Sequence, residues 1–207
     1  MKLTCGPLND QRTVTLLLPS IRKLKIAIFI SGGIDSAILY YMLLQENRNL
    51  DNLHEITPFT VLRKEGSKHF SKPVIAHINS YYELPYSDPI IVGDNTLPEE
   101  EQVKSGVQDV WKLGFDRAYT GLIEQLPQHM IDWTPIPYQE SYRFKAPLCN
   151  LNKSHIIDLI IQLNQSALFY ITHSCSVLEI GRCNYCNGCN ERKWAFDQLS
   201  LTDPGTI

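Results

Sequence analysis

The segment Ile26-Ala27-Ile28-Phe29-Ile30-Ser31-Gly32-Gly33-Ile34-Asp35-Ser36 orders the reading of everything around it. Its first five residues form a short, continuous apolar run closed by Ser-Gly-Gly, which predicts a buried strand entering a tight turn. Residues 36–44 then run without a breaker into polar Gln45, Glu46 and Asn47, which predicts a helix. Strand, glycine turn and helix in that order open an α/β domain. Gly32 and Gly33 let the backbone bend sharply and approach an anion, Ser31 and Ser36 add hydroxyls, and the new helix aims its free amides at the same point. Such a turn is either purely structural or a cradle for phosphate or pyrophosphate. Asp35 favours the cradle, and one of a particular kind, because a carboxylate beside phosphates is repulsive unless it holds Mg2+ or a polar group of the ligand. Ser31, Gly32, Gly33, Ile34, Asp35 and Ser36 are therefore the candidate nucleotide-binding residues.

Working outward, further strands are expected at residues 56–62, 74–78, 90–92, 117–120 and 169–172. Thr96 followed by Glu99 reads as a capping box for a helix reaching about Leu113, where Gly114 stops it. Residues 155–163 predict another helix, begun near Asn152 or Ser154, and residues 191–199 a last one. The Pro- and aromatic-rich stretch 127–147 reads as an irregular connection. Short strands separated by helices imply a mostly parallel sheet covered on both faces. The expected organisation is a single α/β nucleotide-binding domain over 1–207 with a metal-binding subregion at 173–199.

Composition agrees with one globular core: of 207 residues 43% are hydrophobic and 20% charged, with 11 Gly and 12 Pro and no repeat or low-complexity tract. The net charge of -3 gives no global positive field, so a nucleic-acid partner is not expected. The longest apolar runs, 16–18 and 26–30, fall far short of the roughly 18 residues that span a bilayer, and the first residues lack a signal-peptide pattern. No membrane association and a cytoplasmic location are expected.

Four of the six cysteines crowd together as Cys183-x-x-Cys186-x-x-Cys189, with Cys175 shortly upstream. Gly181, Asn184, Asn187 and Gly188 suit the bends between them. Four thiolates on short turns are a closed tetrahedral set with no open catalytic position, which favours structural Zn2+. An iron-sulfur cluster is the alternative that spacing alone leaves open. His173 is a further candidate, as a ligand or a nucleotide contact.

Ser-Gly-Gly-x-Asp-Ser at 31–36 resembles the signature of the PP-loop ATP pyrophosphatases, a resemblance that implies ATP cleavage between the α and β phosphates with adenylation of an acid, amide or base carbonyl. The loop combined with His173-Ser174-Cys175, the cysteine knuckle and Arg192 resembles the 7-cyano-7-deazaguanine synthases. Ala146-Pro147-Leu148 with Lys153, and Tyr119-Thr120-Gly121, resemble further segments of that family. The likeness covers 26–44 and about 117–199. The middle diverges, with Glu99-Glu100-Glu101-Gln102 and Leu122-Ile123-Glu124-Gln125 standing where the family has other phrases. The resemblance implies ATP, Mg2+ and Zn2+ as cofactors, 7-carboxy-7-deazaguanine and ammonia as substrates, an amide and then a nitrile as products, and a homodimer. It also implies Thr120 and Gly121 at the adenosine, and a catalytic set of Asp35, Ser36, Lys145, Lys153 and Arg192, the three basic residues neutralising charge on the adenylate. Arg143 is another candidate for that charge, and His173 and Glu124 for substrate contact. Alternative readings are a PP-loop tRNA-modifying enzyme, an amide-forming ligase on a related carboxylate, and a nucleotide-binding protein without turnover.

Overall fold

The computed structural model describes residues 1–62, 68–124 and 141–205. β3 (Lys25–Phe29) is the middle strand of a five-stranded sheet in which it pairs in parallel with β4 (Glu55–Val61) on one side and β6 (Arg117–Thr120) on the other. β5 (Ile90–Val92) extends the sheet beyond β4, and β7 (Phe144–Lys145) extends it beyond β6, both in parallel. The order β5-β4-β3-β6-β7 means that the chain winds outward from β3 in one direction and then crosses over to wind in the other.

The two-residue period of β3 divides the core. Ile26 and Ile28 face a large cluster built with α1 (Ile34–Arg48), α2 (Lys68–Tyr81), α4 (Lys153–Gln162) and α5 (Leu168–Ile171). Ala27 and Phe29 face a smaller cluster with Phe59, Val110, Phe115 and Ala118, on the side of α3 (Glu99–Lys112). A parallel strand buried on both faces must be apolar at every position, which is why 26–30 reads as an unbroken run. Each fully buried Ile or Leu contributes about 1.5–3 kcal/mol. α1 is buried nearly all round, between the sheet, α2, α4 and α5. Its Tyr40 hydroxyl finds a partner by donating to Asn79 Oδ1 on α2 at 2.6 Å. The large cluster runs from Cys5 and Val14 near one end of the chain to Ala195 and Phe196 on α6 (Asn187–Gln198) near the other.

Several expectations are corrected. Residues 74–78 are not a strand but part of α2: Val74, Ile75 and Ile78 are all fully buried, and their i, i+1, i+4 spacing places them on one helical face against α1. Residues 169–172 form the short helix α5 and its exit rather than a strand, with Phe169 buried, Tyr170 exposed and Thr172 Oγ1 donating back to Leu168 O at 2.5 Å. Thr96 does not cap α3, whose N-cap is Pro98; its hydroxyl and amide both go to Asp94 Oδ1, at 2.6 and 2.9 Å. α6 begins at Asn187 rather than at 191. The stretch 141–147 of the expected irregular connection contributes β7, and 127–140 lies outside the described residues.

An antiparallel hairpin, β1 (Lys2–Cys5) with β2 (Arg12–Thr15), was not legible; it packs on α4, and Gly6 N donates to Asp158 Oδ2 at 2.7 Å. Among the described residues no helix is long and apolar enough to cross a membrane.

Candidate functional site

The crevice between β3 and β6 lies where the winding of the sheet reverses, and in open parallel sheets ligands bind outside the strand carboxyl ends at such a point. Here the loop 31–36 leaves β3 and residues 120–122 leave β6. A cavity of about 210 Å3 opens between them, lined by Ser31, Ser36, Thr120, Gly121 and Leu122 with apolar neighbours from β3, β4 and α3. Four of the sequence-predicted residues, Ser31, Ser36, Thr120 and Gly121, thus share one wall.

The loop is held by its own hydroxyls. Gly33 N donates to Ser31 Oγ at 3.2 Å, Ser31 N to Ser36 Oγ at 3.2 Å, and Ser36 Oγ to Gly33 O at 3.1 Å. Gly33 is the N-cap of α1 and makes no side-chain cap, so the orphan amides of the first turn are not consumed by a cap. Gly32 has φ +88°, and a Cβ there would stand 2.5 Å from the backbone carbon of Phe70. At Gly121 the constraint is close approach: a Cβ would lie 2.6 Å from Ser36 N. Ile34 contributes backbone to the turn while its side chain is buried in the core.

Asp35 opens α1 and meets Lys153, the first residue of α4. Lys153 Nζ donates to Asp35 Oδ2 at 2.6 Å and lies 3.2 Å from Glu191 Oε2 on α6. A capping box at Asn152, whose Oδ1 accepts from Ser154 N at 3.0 Å, fixes the start of α4 and with it the base of Lys153. Asp35 Oδ1 is buried with no hydrogen-bond partner. A carboxylate oxygen in that state is suited to a cation arriving with a ligand.

The cysteine knuckle adjoins this wall. His173 N donates to Gly32 O at 3.0 Å, and the His173 ring stacks on Phe70 with centroids 3.9 Å apart. Two residues on, Cys175 joins Cys183, Cys186 and Cys189, whose sulfurs all lie within 4.8 Å of one another with every thiol free. Gly181 and Asn184 take positive φ at the bends, Cys186 caps α6, and Cys189 sits in its first turn. Gly188 lies so close to Ser174 O that a side chain there has no room. Burial pushes the Cys189 thiol up to about 12. Burial also raises Cys186, but amide donors from Ser176 and Cys189 outweigh it and bring that thiol down to about 6, so a thiolate is at hand near neutral pH. The mutual sulfur spacing and the clustering of four thiols without a disulfide fit a metal ion.

Three expected residues stand elsewhere in role. Arg192 is fully buried, with its guanidinium spent on Asp203 (2.8 and 2.9 Å), Phe169 O (2.6 Å) and Thr172 Oγ1 (3.3 Å); a cation so enclosed braces the fold and does not face the cavity. Arg143 lies over the Trp111 ring and donates to Phe115 O, and Glu124 pairs with Arg12 of the hairpin. Lys145 lies on β7 in register with Tyr119, and it is Lys153 that the fold brings against Asp35. Sequence reasoning missed Glu191 and Phe70. Neither belongs to a motif, and Glu191 meets Lys153 only because α4 and α6 pack together.

Residues 101–200 match the family model of the queuosine biosynthesis protein QueC. That span carries α3 from its third residue, α4 through α6, Lys153 and all four clustered cysteines. No curated protein matches the chain. Among solved structures it is similar to the U34-tRNA thiolase NcsA from Methanococcus maripaludis with its 4Fe-4S cluster, at 15% identity and a TM-score of 0.46, over 92% of this chain and 70% of that one.

Proposed function

From the premise that residues 101–200 carry the QueC pattern, we propose that this chain is an ATP-dependent nitrile synthase converting 7-carboxy-7-deazaguanine and ammonia to 7-cyano-7-deazaguanine. The observation that carries the reading is the Ser31–Ser36 loop at the sheet's switch point, with Asp35 and Lys153 in contact beside the cavity. The substrate carboxylate attacks the α phosphorus and pyrophosphate leaves. Ammonia then attacks the acyl adenylate, AMP departs, and loss of a proton gives the amide. A second ATP activates the amide oxygen in the same way, with release of pyrophosphate, and loss of AMP and of both protons on the nitrogen gives the nitrile.

In this reading the loop amides and the Ser31 and Ser36 hydroxyls bind the phosphates, Thr120 and Gly121 face the adenosine, and Lys153 donates to phosphate oxygens as charge develops on them. Mg2+ supplies neutralisation of the pyrophosphate leaving group, held from this chain by Asp35. His173, whose amide donates to Gly32 O of the loop, is a substrate contact in this reading. The single-domain organisation over 1–207, a cytoplasmic location and a homodimer belong to the same proposal, the last from the family resemblance alone.

Zinc is the proposed metal. Four thiolates on one ion at about 2.3 Å stand roughly 3.8 Å apart in a tetrahedron, and the Cys175–Cys186 and Cys183–Cys189 sulfurs are at 3.9 and 4.0 Å. A cubane gives each thiolate a different iron and spreads the sulfurs further. Metal analysis of the purified protein should find zinc; iron with a visible charge-transfer band would overturn this assignment.

The function is tested by incubating the protein with Mg-ATP, ammonium and 7-carboxy-7-deazaguanine and following nucleotides and purines by mass spectrometry, with Ser36→Ala as control. Nitrile and AMP formation, lost in the variant, is expected. Amide without nitrile would make the chain a ligase that stops one step earlier, and intact ATP and substrate would overturn the proposal.

A further inference from the structure

Three elements meet at one buried ammonium. Lys153, with a side chain only 8% exposed, opens α4; Asp35 reaches it from the loop and α1; Glu191 reaches it from α6. Two carboxylates and one cation leave the group one negative charge in excess, while Asp35 Oδ1 stays buried without a donor. A cation at Asp35 relieves that orphan oxygen, but it must compete with Lys153 for the carboxylate. An ammonium is a compact charge with three donors and no fixed plane, so it moves between acceptors within its reach. How readily it yields Asp35 depends on whether another anion keeps it paired, since an uncompensated buried charge is costly. Glu191 is that anion. Among the described residues Asp35 and Glu191 are the two carboxylates on Lys153, and without Glu191 the ammonium has Asp35 alone.

We propose that Glu191 is a positioning residue for nucleotide binding: it holds Lys153 from the α6 side, so that Asp35 can pass from the ammonium to Mg2+ while Lys153 turns a donor to a phosphate oxygen without losing its counter-ion. The proposal rests on the nucleotide reading of the loop given above. The cost, a further negative charge near the phosphates, is offset by the ammonium that Glu191 touches. Glu191 lies two residues beyond Cys189 on the same helix, so the fold of the cysteine knuckle sets where it stands. The knuckle thereby acts on the loop through Lys153 as well as through the His173–Gly32 hydrogen bond.

The test is a double-mutant cycle on the metal-loaded full chain, with Mg-ATP and Mg-free ATP binding measured by calorimetry for wild type, Glu191→Gln, Lys153→Met and the double variant. Glu191→Gln should weaken Mg-ATP binding about tenfold, the scale of one charge-assisted hydrogen bond, and Mg-free ATP binding much less. In the Lys153→Met background Glu191→Gln should add nothing. Equal or tighter Mg-ATP binding by Glu191→Gln overturns the proposal. So does an undiminished loss in the Lys153→Met background, which is also the pattern expected if the substitution acts by releasing the metal. A wild type that binds no Mg-ATP overturns the nucleotide reading itself, a result distinct from either.

Discussion

At Gly121 a methyl group would stand 2.6 Å from Ser36 N and 2.7 Å from Ser36 Cα, distances that backbone atoms can relieve only by moving the loop away from β6. At Gly33 the nearest atom to such a methyl is Ser31 Oγ at 3.3 Å, the end of a short side chain that can turn aside. Gly121→Ala is therefore expected to weaken Mg-ATP binding at least about tenfold and to cost about 1–3 kcal/mol of stability, whereas Gly33→Ala should change the melting temperature little; calorimetry and thermal melts of the two variants check the contrast. Gly188→Ala should abolish metal retention, because Ser174 O occupies the space its side chain needs, and metal content after gel filtration decides that. The Ser31–Ser36 turn was legible because an apolar run, two glycines and the flanking hydroxyls that hold the turn stand next to one another in the sequence. The requirement at Gly121 was not, because it comes from an approach between residues 85 positions apart.

Among the elements, α6 is tied down at its first turn and at its middle by different chemistry. Cysteines hold its first turn, and Arg192 clamps Asp203, Phe169 O and Thr172 beneath it. Burial alone would raise the Asp203 carboxyl, but the Arg192 hydrogen bond, the Gly205 amide and the charges of Arg192 and Arg182 hold it below its ordinary value of 3.8. A carboxyl depressed in the folded state contributes stability that is fully present above its unfolded value and is lost as pH falls through the lower folded one. Asp203→Asn should cost about 3–5 kcal/mol at neutral pH, because it leaves a buried guanidinium without its counter-charge. It should also remove part of the acid-side fall in stability, as urea titrations of both proteins between neutral pH and about pH 2.5 would show. The sequence pattern around Arg192 matched a family motif, and that match suggested a charge near the adenylate. Its actual role depends on a tail residue, Asp203, that no local pattern links to it. The strand expected at 74–78 failed for a related reason: β-branched residues favour strands locally, but burial on one face of α2 overrides that preference.

For the whole molecule, the His173–Gly32 hydrogen bond ties the knuckle to the loop at 31–36, so metal and ligand should report on each other. Removing the metal with a chelator is expected to free the start of α6 and loosen Glu191 and His173 together. A loss of about 4 kcal/mol would move the unfolding midpoint by about 10 °C in a chain of this size, and re-addition of zinc should restore it; a chelator-insensitive melt would show the knuckle to be self-supporting. The sequence by itself determined the parallel α/β architecture, the loop that opens it and the cysteine cluster, because these are written in short-range order: a run of apolar residues, a turn with its own hydroxyls, ligands a few residues apart. Only the tertiary structure decided which cation meets Asp35, that Arg192 is enclosed by Asp203 and Phe169, that Glu191 reaches Lys153, and that a hairpin precedes the sheet. Those outcomes depend on which helices pack side by side, and packing brings together residues whose separation along the chain carries no periodic or chemical signal.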